Sequence, residues 1–265
     1  MSVLDKILMT KREEVARLHE RRVVFDTARP REIHSLRAAL LAGSNLGVIA
    51  EIKRKSPSKG TIQADINPAE RAQVYERAGA TAISVLTDEK YFGGSIEDLR
   101  SVRDAVSIPL LRKDFIIDEI QIDEAYAAGA DVVLLIAAAL RPKRLRELSA
   151  YAQHLGLDVL LEVHGVDELD AALDATPSIL GINNRNLHTF DVDLGTTEDV
   201  IQALPKDVVV ISESGIFGTA DAQRMVDAGA RGILVGELLM RHADLGDVAK
   251  CLTSLQVEAP SVDIA

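Results

Sequence analysis

The stretch Val48-Ile49-Ala50-Glu51-Ile52-Lys53-Arg54-Lys55-Ser56-Pro57-Ser58-Lys59-Gly60 decides how the chain is read. It starts as an apolar run, the pattern of a buried strand. It ends in a basic loop closed by Pro, Ser and Gly, residues that favour turns. Side chains alternate between the faces of a strand, so Ile49, Glu51 and Lys53 share one face while Val48, Ala50 and Ile52 take the other. A strand apolar on both faces with a carboxylate and an ammonium at one end is poor core design, because buried charge is costly unless paired. A structural ion pair at the strand terminus is the plain account and a functional site the sharper one. The later strands separate them.

From residue 48 onward strands and helices alternate. The spacing predicts strands at 48–53, 82–87, 109–113, 132–137, 158–163, 179–183, 207–212 and 232–236. Helical patterns fall between them at 69–78, 96–106, 119–128, 142–154, 166–173 and 220–228. Most of these strands are apolar throughout, as parallel strands covered on both sides must be. An internal repeat supports the count. Ala78-Gly79-Ala80, Ala128-Gly129-Ala130 and Ala228-Gly229-Ala230 each end a helix and open a strand, and glycine there suits a helix C-cap. Their separations are multiples of a βα unit of about 25 residues. The expected fold class is therefore α/β, a closed (β/α)8 TIM barrel. An open doubly wound sheet is the alternative, but the glycine-rich loop usual after its first strand is replaced here by Lys53-Arg54-Lys55.

Roughly 45 residues precede the first strand. Leu4, Ile7, Leu8, Val15 and Leu18 fall at helical spacing, which predicts one amphipathic helix over 3–22. Pro30 ends a short connection and Ser35 caps a second helix through Leu41. The expected organisation is a helical extension (1–46) capping the barrel, the barrel itself (47–257) and a short tail (258–265).

Composition narrows the function classes. The chain has 265 residues, 47% hydrophobic, enough to bury a large core. Its net charge of -11 argues against nucleic acid or an anionic membrane as the main partner. A small anionic ligand stays open, because Lys53, Arg54, Lys55 and Lys59 form a local basic cluster. Cys251 is the only cysteine, which excludes an intrachain disulfide and a cysteine metal cage. No signal peptide is visible, and the longest apolar run, Val132 to Leu140, is too short to span a bilayer. The expectation is a cytoplasmic protein.

Barrel enzymes work at the C-terminal ends of their strands, and polar residues collect there. Lys113 follows Leu111 on one face of its strand, Glu162 follows Leu160, and Glu213 follows Ile211; Asn183 ends the sixth strand. With Glu51 and Lys53 this gives two lysines, three glutamates and an asparagine on one rim, which structure alone explains poorly. Ser214-Gly215 and Gly236-Glu237 follow the last two strands, where barrels often hold phosphate through backbone N–H groups and a short helix, here expected at 238–242. His164 reads as a loop residue or a second acid–base group. His19, His34, His154, His188 and His242 are scattered without ligand spacing, so no metal is expected. Asp191 and Asp193 read as a solvated loop rather than a cation site. Phe92 and Phe115 lie near rim loops, suited equally to core packing or to an aromatic ligand.

The blocks Ile49 to Ser58, Leu111 to Phe115, Leu161 to His164, Gly181 to Leu187 and Ser212 to Ile216 together closely resemble the indole-3-glycerol phosphate synthase family. The resemblance runs over nearly the whole chain. It implies a (β/α)8 barrel of tryptophan biosynthesis that converts 1-(2-carboxyphenylamino)-1-deoxyribulose 5-phosphate into indole-3-glycerol phosphate, CO2 and water without a cofactor. By the same resemblance Lys113 is the acid for ring closure; on chemical grounds a nearby Lys53 or partial burial is expected to lower its pKa. Lys53 pairs with the substrate carboxylate and serves as acid in dehydration. Glu162 and Glu51 exchange protons, and Asn183 and Glu213 orient the sugar hydroxyls and Lys113. Ser56, Arg185, Ser214, Gly215, Gly236 and Glu237 match substrate or phosphate contacts, Glu237 through its backbone. The extension would pack over the barrel top. No nucleic-acid or membrane partner and a monomer are the expectation. One departure stands out: many members carry a serine shortly after the strand-eight glycine, where this chain has Leu238. Two rival readings are a Schiff-base aldolase using Lys113 or Lys53 and a catalytically silent barrel serving as a scaffold.

Overall fold

A computed structural model describes residues 2–27, 32–187 and 189–259. Pro30, His188 and the tail beyond Ala259 lie outside the described residues. Eight parallel strands close into a barrel: β1 (Gly47–Ile52), β2 (Ala82–Leu86), β3 (Leu110–Lys113), β4 (Val132–Ile136), β5 (Asp158–Val163), β6 (Ile179–Asn183), β7 (Val210–Glu213) and β8 (Gly232–Val235). They neighbour one another in chain order, and β8 closes on β1 with Gly47 opposite Gly232 and Ala50 opposite Val235. This is the (β/α)8 barrel that the repeat predicts.

The period-two pattern sorts the strand residues into two cores. Ile49, Leu111, Leu134, Leu160, Ile211 and Leu234 pack inside the barrel. Val48, Ala50, Ile52, Val133, Leu161 and Ile233 face outward against the helices. Both sets are almost wholly buried, which explains why the strands read as continuous apolar runs. The return helices include Pro68–Arg77, Ile96–Ala105, Glu119–Ala128, Pro142–His154 and Thr219–Ala228. In the three Ala-Gly-Ala repeats Gly79, Gly129 and Gly229 all take a left-handed backbone, which ends the helix and turns the chain into the next strand.

Some local features depart from the sequence expectation. β7 starts at Val210 rather than 207, because a turn in which Val208 N–H reaches the Pro205 carbonyl precedes it. The helix expected at 166–173 divides into a 3-10 turn (Val166–Glu168) and a helix (Leu169–Asp174). Helices Gly195–Gln202 and Leu245–Ser254 carry apolar faces that the sequence reading passed over. After β1 the two-residue strands Lys55–Ser56 and Gly60–Thr61 form a small antiparallel hairpin.

The two helices of the N-terminal segment go to opposite ends of the barrel. Helix α2 (Leu36–Ala42) is capped by Ser35, whose hydroxyl accepts the Ala38 N–H. It lies beneath the barrel: Leu36 and Leu40 join the interior core, and Asp158, the first residue of β5, accepts hydrogen bonds from Ser35 Oγ and Arg37 N–H. Helix α1 (Val3–Glu20) lies over the other end, where Val3, Leu4 and Ile7 help wall the mouth.

A buried ion cluster fixes α1 there. Lys11 Nζ lies 2.9 Å from Asp88 and 2.8 Å from Asp114, which leave the ends of β2 and β3, and 2.9 Å from Glu14. Asp88 also caps the short helix Glu89–Phe92, and Asp114 accepts from Thr87 Oγ1 and Arg112. Burial raises the Asp114 carboxyl, but Lys11 and Arg112 outweigh it and hold it at about 2. Its stabilising contribution is therefore complete above pH 4 and is lost only as pH falls toward 2. Removing one partner of such a cluster leaves buried charge uncompensated, so Lys11→Met is expected to cost about 3 kcal/mol. Urea denaturation at pH 7 measures it; an unchanged midpoint would show that α1 is held by other contacts.

Candidate active site

The barrel interior ends, at its C-terminal mouth, in a layer of charge. Glu51, Lys113, Glu162 and Glu213 come from β1, β3, β5 and β7, each two residues beyond an interior apolar residue of the same strand: Ile49, Leu111, Leu160 and Ile211. Alternate strands of a barrel contribute side chains to a common layer. Here the layer that would continue the apolar core is ionic instead, and its carboxylates are only 1–3% exposed.

Lys113 is the hub. Its Nζ donates to Glu162 Oε2 at 2.7 Å and to Glu213 Oε2 at 2.8 Å. Lys53 turns back to donate to Glu51 Oε1. On the far side of Glu162, His164 Nε2 lies 3.3 Å from Oε1, and His164 Nδ1 lies 3.6 Å from Glu168. Two glycines make room for the carboxylates. A Cβ on Gly181 would sit 2.3 Å from Glu213 Oε1, and one on Gly236 would sit 2.2 Å from Glu51 Oε1. Neither position tolerates a side chain without moving a charge.

The charges set one another's protonation. Burial favours neutral Lys113, yet Glu162, Glu213 and Glu51 outweigh it and hold the ammonium above the usual lysine range. The lowered pKa expected for Lys113 is thus reversed, because three carboxylates surround it while Lys53 is turned to Glu51. Burial also opposes ionised Glu162, but Lys113 and His164 keep that carboxyl well below its ordinary range. Glu213 differs. Burial and the neighbouring Glu162 charge outweigh the pull of Lys113 and push it up to about 7. Its Oε1 is buried without a hydrogen-bond partner.

Fourteen residues assigned to the site from the sequence line one cavity at this mouth. Glu51, Lys53, Lys113, Glu162, Asn183 and Glu213 form its floor and inner wall; Ser56, Phe92, Phe115, Arg185, Ser214, Gly215, Gly236 and Glu237 border it. Phe92 and Phe115 face each other with ring centroids 6.0 Å apart. Ser214 and Gly215 form a left-handed turn, with φ of 67° and 87°. Buried Asn184 holds that turn, donating to the carbonyls of Glu213 and Ser214. The Arg185 guanidinium donates to the Phe190 carbonyl, which orders the loop after β6. The short helix expected at 238–242 is Glu237–Met240. The Glu237 carboxylate pairs with Arg241 and lies 3.6 Å from Lys59 of the hairpin, so it is turned to cations.

The basic cluster of the first loop is dispersed. Arg54 pairs with Asp98, and Lys55 Nζ donates to the Lys90 carbonyl at 2.7 Å. Arg54 thereby ties the hairpin to helix Ile96–Ala105 and Lys55 ties it to the short helix Glu89–Phe92, and of the four cations only Lys53 borders the cavity. One neighbour of the site escaped the sequence reading: Lys11 is one cation among many on an amphipathic helix, and nothing in its spacing marks it. His164, read from the sequence as a loop residue or a second acid–base group, lies beyond the end of β5 against Glu162. Among the described residues no His, Cys, Asp or Glu group is arranged to hold a metal ion, and no helix is long and apolar enough to cross a membrane.

A closed parallel barrel whose top core layer is ionic and opens into a cavity has the build of a (β/α)8 barrel enzyme. Comparison with known proteins specifies the class. The family model described as indole-3-glycerol phosphate synthase matches residues 4–252. An indole-3-glycerol phosphate synthase of Oceanobacillus iheyensis is 51% identical over 246 residues, covering 92% of this chain and 94% of that protein. One of Exiguobacterium sibiricum is 48% identical over 256 residues, covering 97% and 98%. The chain belongs to the indole-3-glycerol phosphate synthase family, carboxy-lyases of tryptophan biosynthesis. Solved structures share the fold at greater distance. An N-acetylmannosamine-6-phosphate 2-epimerase of Clostridium perfringens is 15% identical with a TM-score of 0.61, over 80% of this chain and 93% of that one. A thiamine phosphate pyrophosphorylase of Pyrococcus furiosus is 18% identical with a TM-score of 0.60, over 83% and 96%.

Glu213 gives a pH-dependent test of this electrostatic picture. A carboxyl whose folded pKa is raised stabilises the fold below its unfolded value, near 4.5, and that contribution is lost as pH rises through about 7. Glu213→Gln removes the cost of ionising a buried group and keeps an acceptor for Lys113. Its melting temperature is expected to exceed the parent's by about 2–4 °C above pH 8 and to match it near pH 4.5. Thermal scans across that range would sink the assignment if the difference were independent of pH.

Proposed function

We propose that the ionic layer carries out the family's reaction through the following roles. The aryl carbon bearing the carboxylate attacks the ketose carbonyl, and Lys113 protonates the carbonyl oxygen as the bond forms. A lysine held above its usual pKa is a weak acid toward water, but the developing alkoxide is a far stronger base, so transfer is downhill when donor and oxygen are in contact. The carbon–carboxylate bond then breaks, and its electron pair restores the aromatic ring as CO2 departs. Dehydration follows. The hydroxyl on the former carbonyl carbon leaves with a proton from an acid, for which Lys53 is placed, and the adjacent methylene loses a proton to a carboxylate. Glu162 and Glu51 receive and return these protons, while Asn183 and Glu213 hold the sugar hydroxyls and Lys113.

The observation that supports this reading most directly is the Lys113 ammonium held by Glu162 and Glu213 at 2.7 and 2.8 Å. It keeps the amine protonated, as an acid must be and a Schiff-base nucleophile must not. The paired rings of Phe92 and Phe115 suit the anthranilate ring. We assign the phosphate to the Ser214–Gly215 turn and the Gly236–Glu237 segment through backbone N–H groups, with Ser56 and Arg185 completing the anion contacts. Leu238 offers no hydroxyl there. Among the described residues of the 1–46 segment, α1 is the part that excludes water at the top. We further assign a cytoplasmic monomer that does not bind nucleic acid. In support, the net charge is -11, and the exposed large apolar side chains Met9, Val24, Val166 and Phe217 are distributed over different elements.

Lys113→Ala and Glu162→Gln are each expected to lower kcat by at least about 100-fold with the circular dichroism spectrum unchanged. Product fluorescence with the carboxyphenylamino sugar phosphate measures it, and a folded variant with near-parental turnover would refute these roles. Borohydride added with a ketose phosphate is expected to leave the protein mass unchanged; a trapped lysine adduct would instead favour amine catalysis.

A further inference from the structure

His164 is the one ionisable group in contact with Glu162 to which the reaction as written gives no task. Both its ring nitrogens are buried and make no hydrogen bond of regular geometry. They lie between two carboxylates instead, Nε2 at 3.3 Å from Glu162 Oε1 and Nδ1 at 3.6 Å from Glu168 Oε2. Glu168 fixes the residue a second way, since the same Oε2 accepts the His164 backbone N–H at 2.7 Å. The Glu162 carboxylate is thus divided: one oxygen faces Lys113 and the other faces the imidazole.

The geometry points to His164 as a positioning residue for the reaction: as an imidazolium anchored by Glu168, it clamps Glu162 in its ionised form from the oxygen that Lys113 does not hold. The inference rests on Glu162 being a catalytic carboxylate, as proposed above. The ionisable groups around Glu162 are Lys113 of β3, Glu213 of β7 and the Glu51–Lys53 pair of β1, with His164 and Glu168 beyond the end of β5. Lys113 is shared between Glu162 and Glu213, and it also moves toward the substrate oxygen when it acts as acid. At that moment Glu162 loses most of its compensating charge and would take up a proton itself. A second cation that does not take part in the chemistry keeps it a base through the step. Burial works against a charged imidazole, but the two flanking carboxylates outweigh it and raise His164 to about 10, so the clamp is charged at neutral pH.

The test is the pH dependence of turnover in the full-length protein, followed by product fluorescence from pH 5.5 to 9. In His164→Gln the Glu162 carboxyl loses a neighbouring cation, so its pKa rises. The expected result is a kcat several-fold lower, with the loss deepening toward low pH as the acid limb moves upward by about one pH unit, and KM within about twofold. Glu168→Gln keeps an acceptor for the backbone N–H but removes the charge that holds the imidazolium. It is expected to introduce a new loss of kcat on the alkaline side as the ring discharges nearer its ordinary value of about 6.5. Melting temperatures are recorded for both variants. A merely structural histidine would lower kcat and melting temperature together and leave the pH limbs in place, and that result, or an effect confined to KM, would overturn the inference. Glu162→Gln run alongside separates the two levels. If it is active, the site reading fails; if it is inactive while both profiles stay unmoved, only the role of His164 fails.

Discussion

The structure depends on burying four charged side chains in one layer of a barrel core. Three carboxylates and one ammonium, Glu51, Glu162, Glu213 and Lys113, occupy a level where a purely structural barrel would place branched aliphatics. Left alone the layer carries two excess negative charges, a costly arrangement in a low-dielectric interior. The molecule offsets it in three ways. Lys53 and His164 bring cations from the rim. Glu213 can hold a proton near neutrality. Glycines at 181 and 236 let the carboxylates lie flat against the wall rather than collide with it. The cations that make the layer tolerable are also the groups to which the proposed mechanism gives work.

Much of this was legible in the chain because a barrel strand carries its site by arithmetic. A residue two positions beyond an interior apolar residue faces the same way, so Lys113 after Leu111, Glu162 after Leu160 and Glu213 after Ile211 declare a common orientation. The repeated Ala-Gly-Ala tripeptides then count strands between them. What period and spacing cannot give is the partner of a side chain across the sequence. Lys11 pairs with residues 77 and 103 positions away, as Asp88 and Asp114, and its own helix would look the same with that lysine in water. Arg54 and Lys55 failed in the opposite sense. Their clustering left room for a shared anion, whereas a hairpin the spacing does not announce sends Arg54 to Asp98 on helix Ile96–Ala105 and Lys55 to the Lys90 carbonyl. The expected fall in the Lys113 pKa was reversed for a related reason: the sign depends on how many carboxylates converge, which only closure of the barrel determines.

The loops at the mouth are coupled through such anchors. The hairpin after β1 reaches the β2 exit through Arg54 and Lys55 and the β8 exit through Lys59 and Glu237. Helix α1 reaches the β2 and β3 exits through Lys11. A rigid barrel floor therefore sits beneath a rim whose pieces are joined by ion pairs of very different burial. The Lys11 contacts are dry and strong, while the 3.6 Å contact between Lys59 and Glu237 is partly exposed and weak.

The placement of the first helix has a practical side for anyone handling the protein. Val3, Leu4 and Ile7 belong to the wall of the cavity itself, whereas residues 256–259 lie under the barrel, bonded to Gly79, Leu46 and Ser44 beside the start of β1. A fluorophore, affinity handle or surface linker joined near residue 3 would hang at the mouth of that cavity. Joined at residue 259, it would start at the opposite end of the barrel, beside the start of β1.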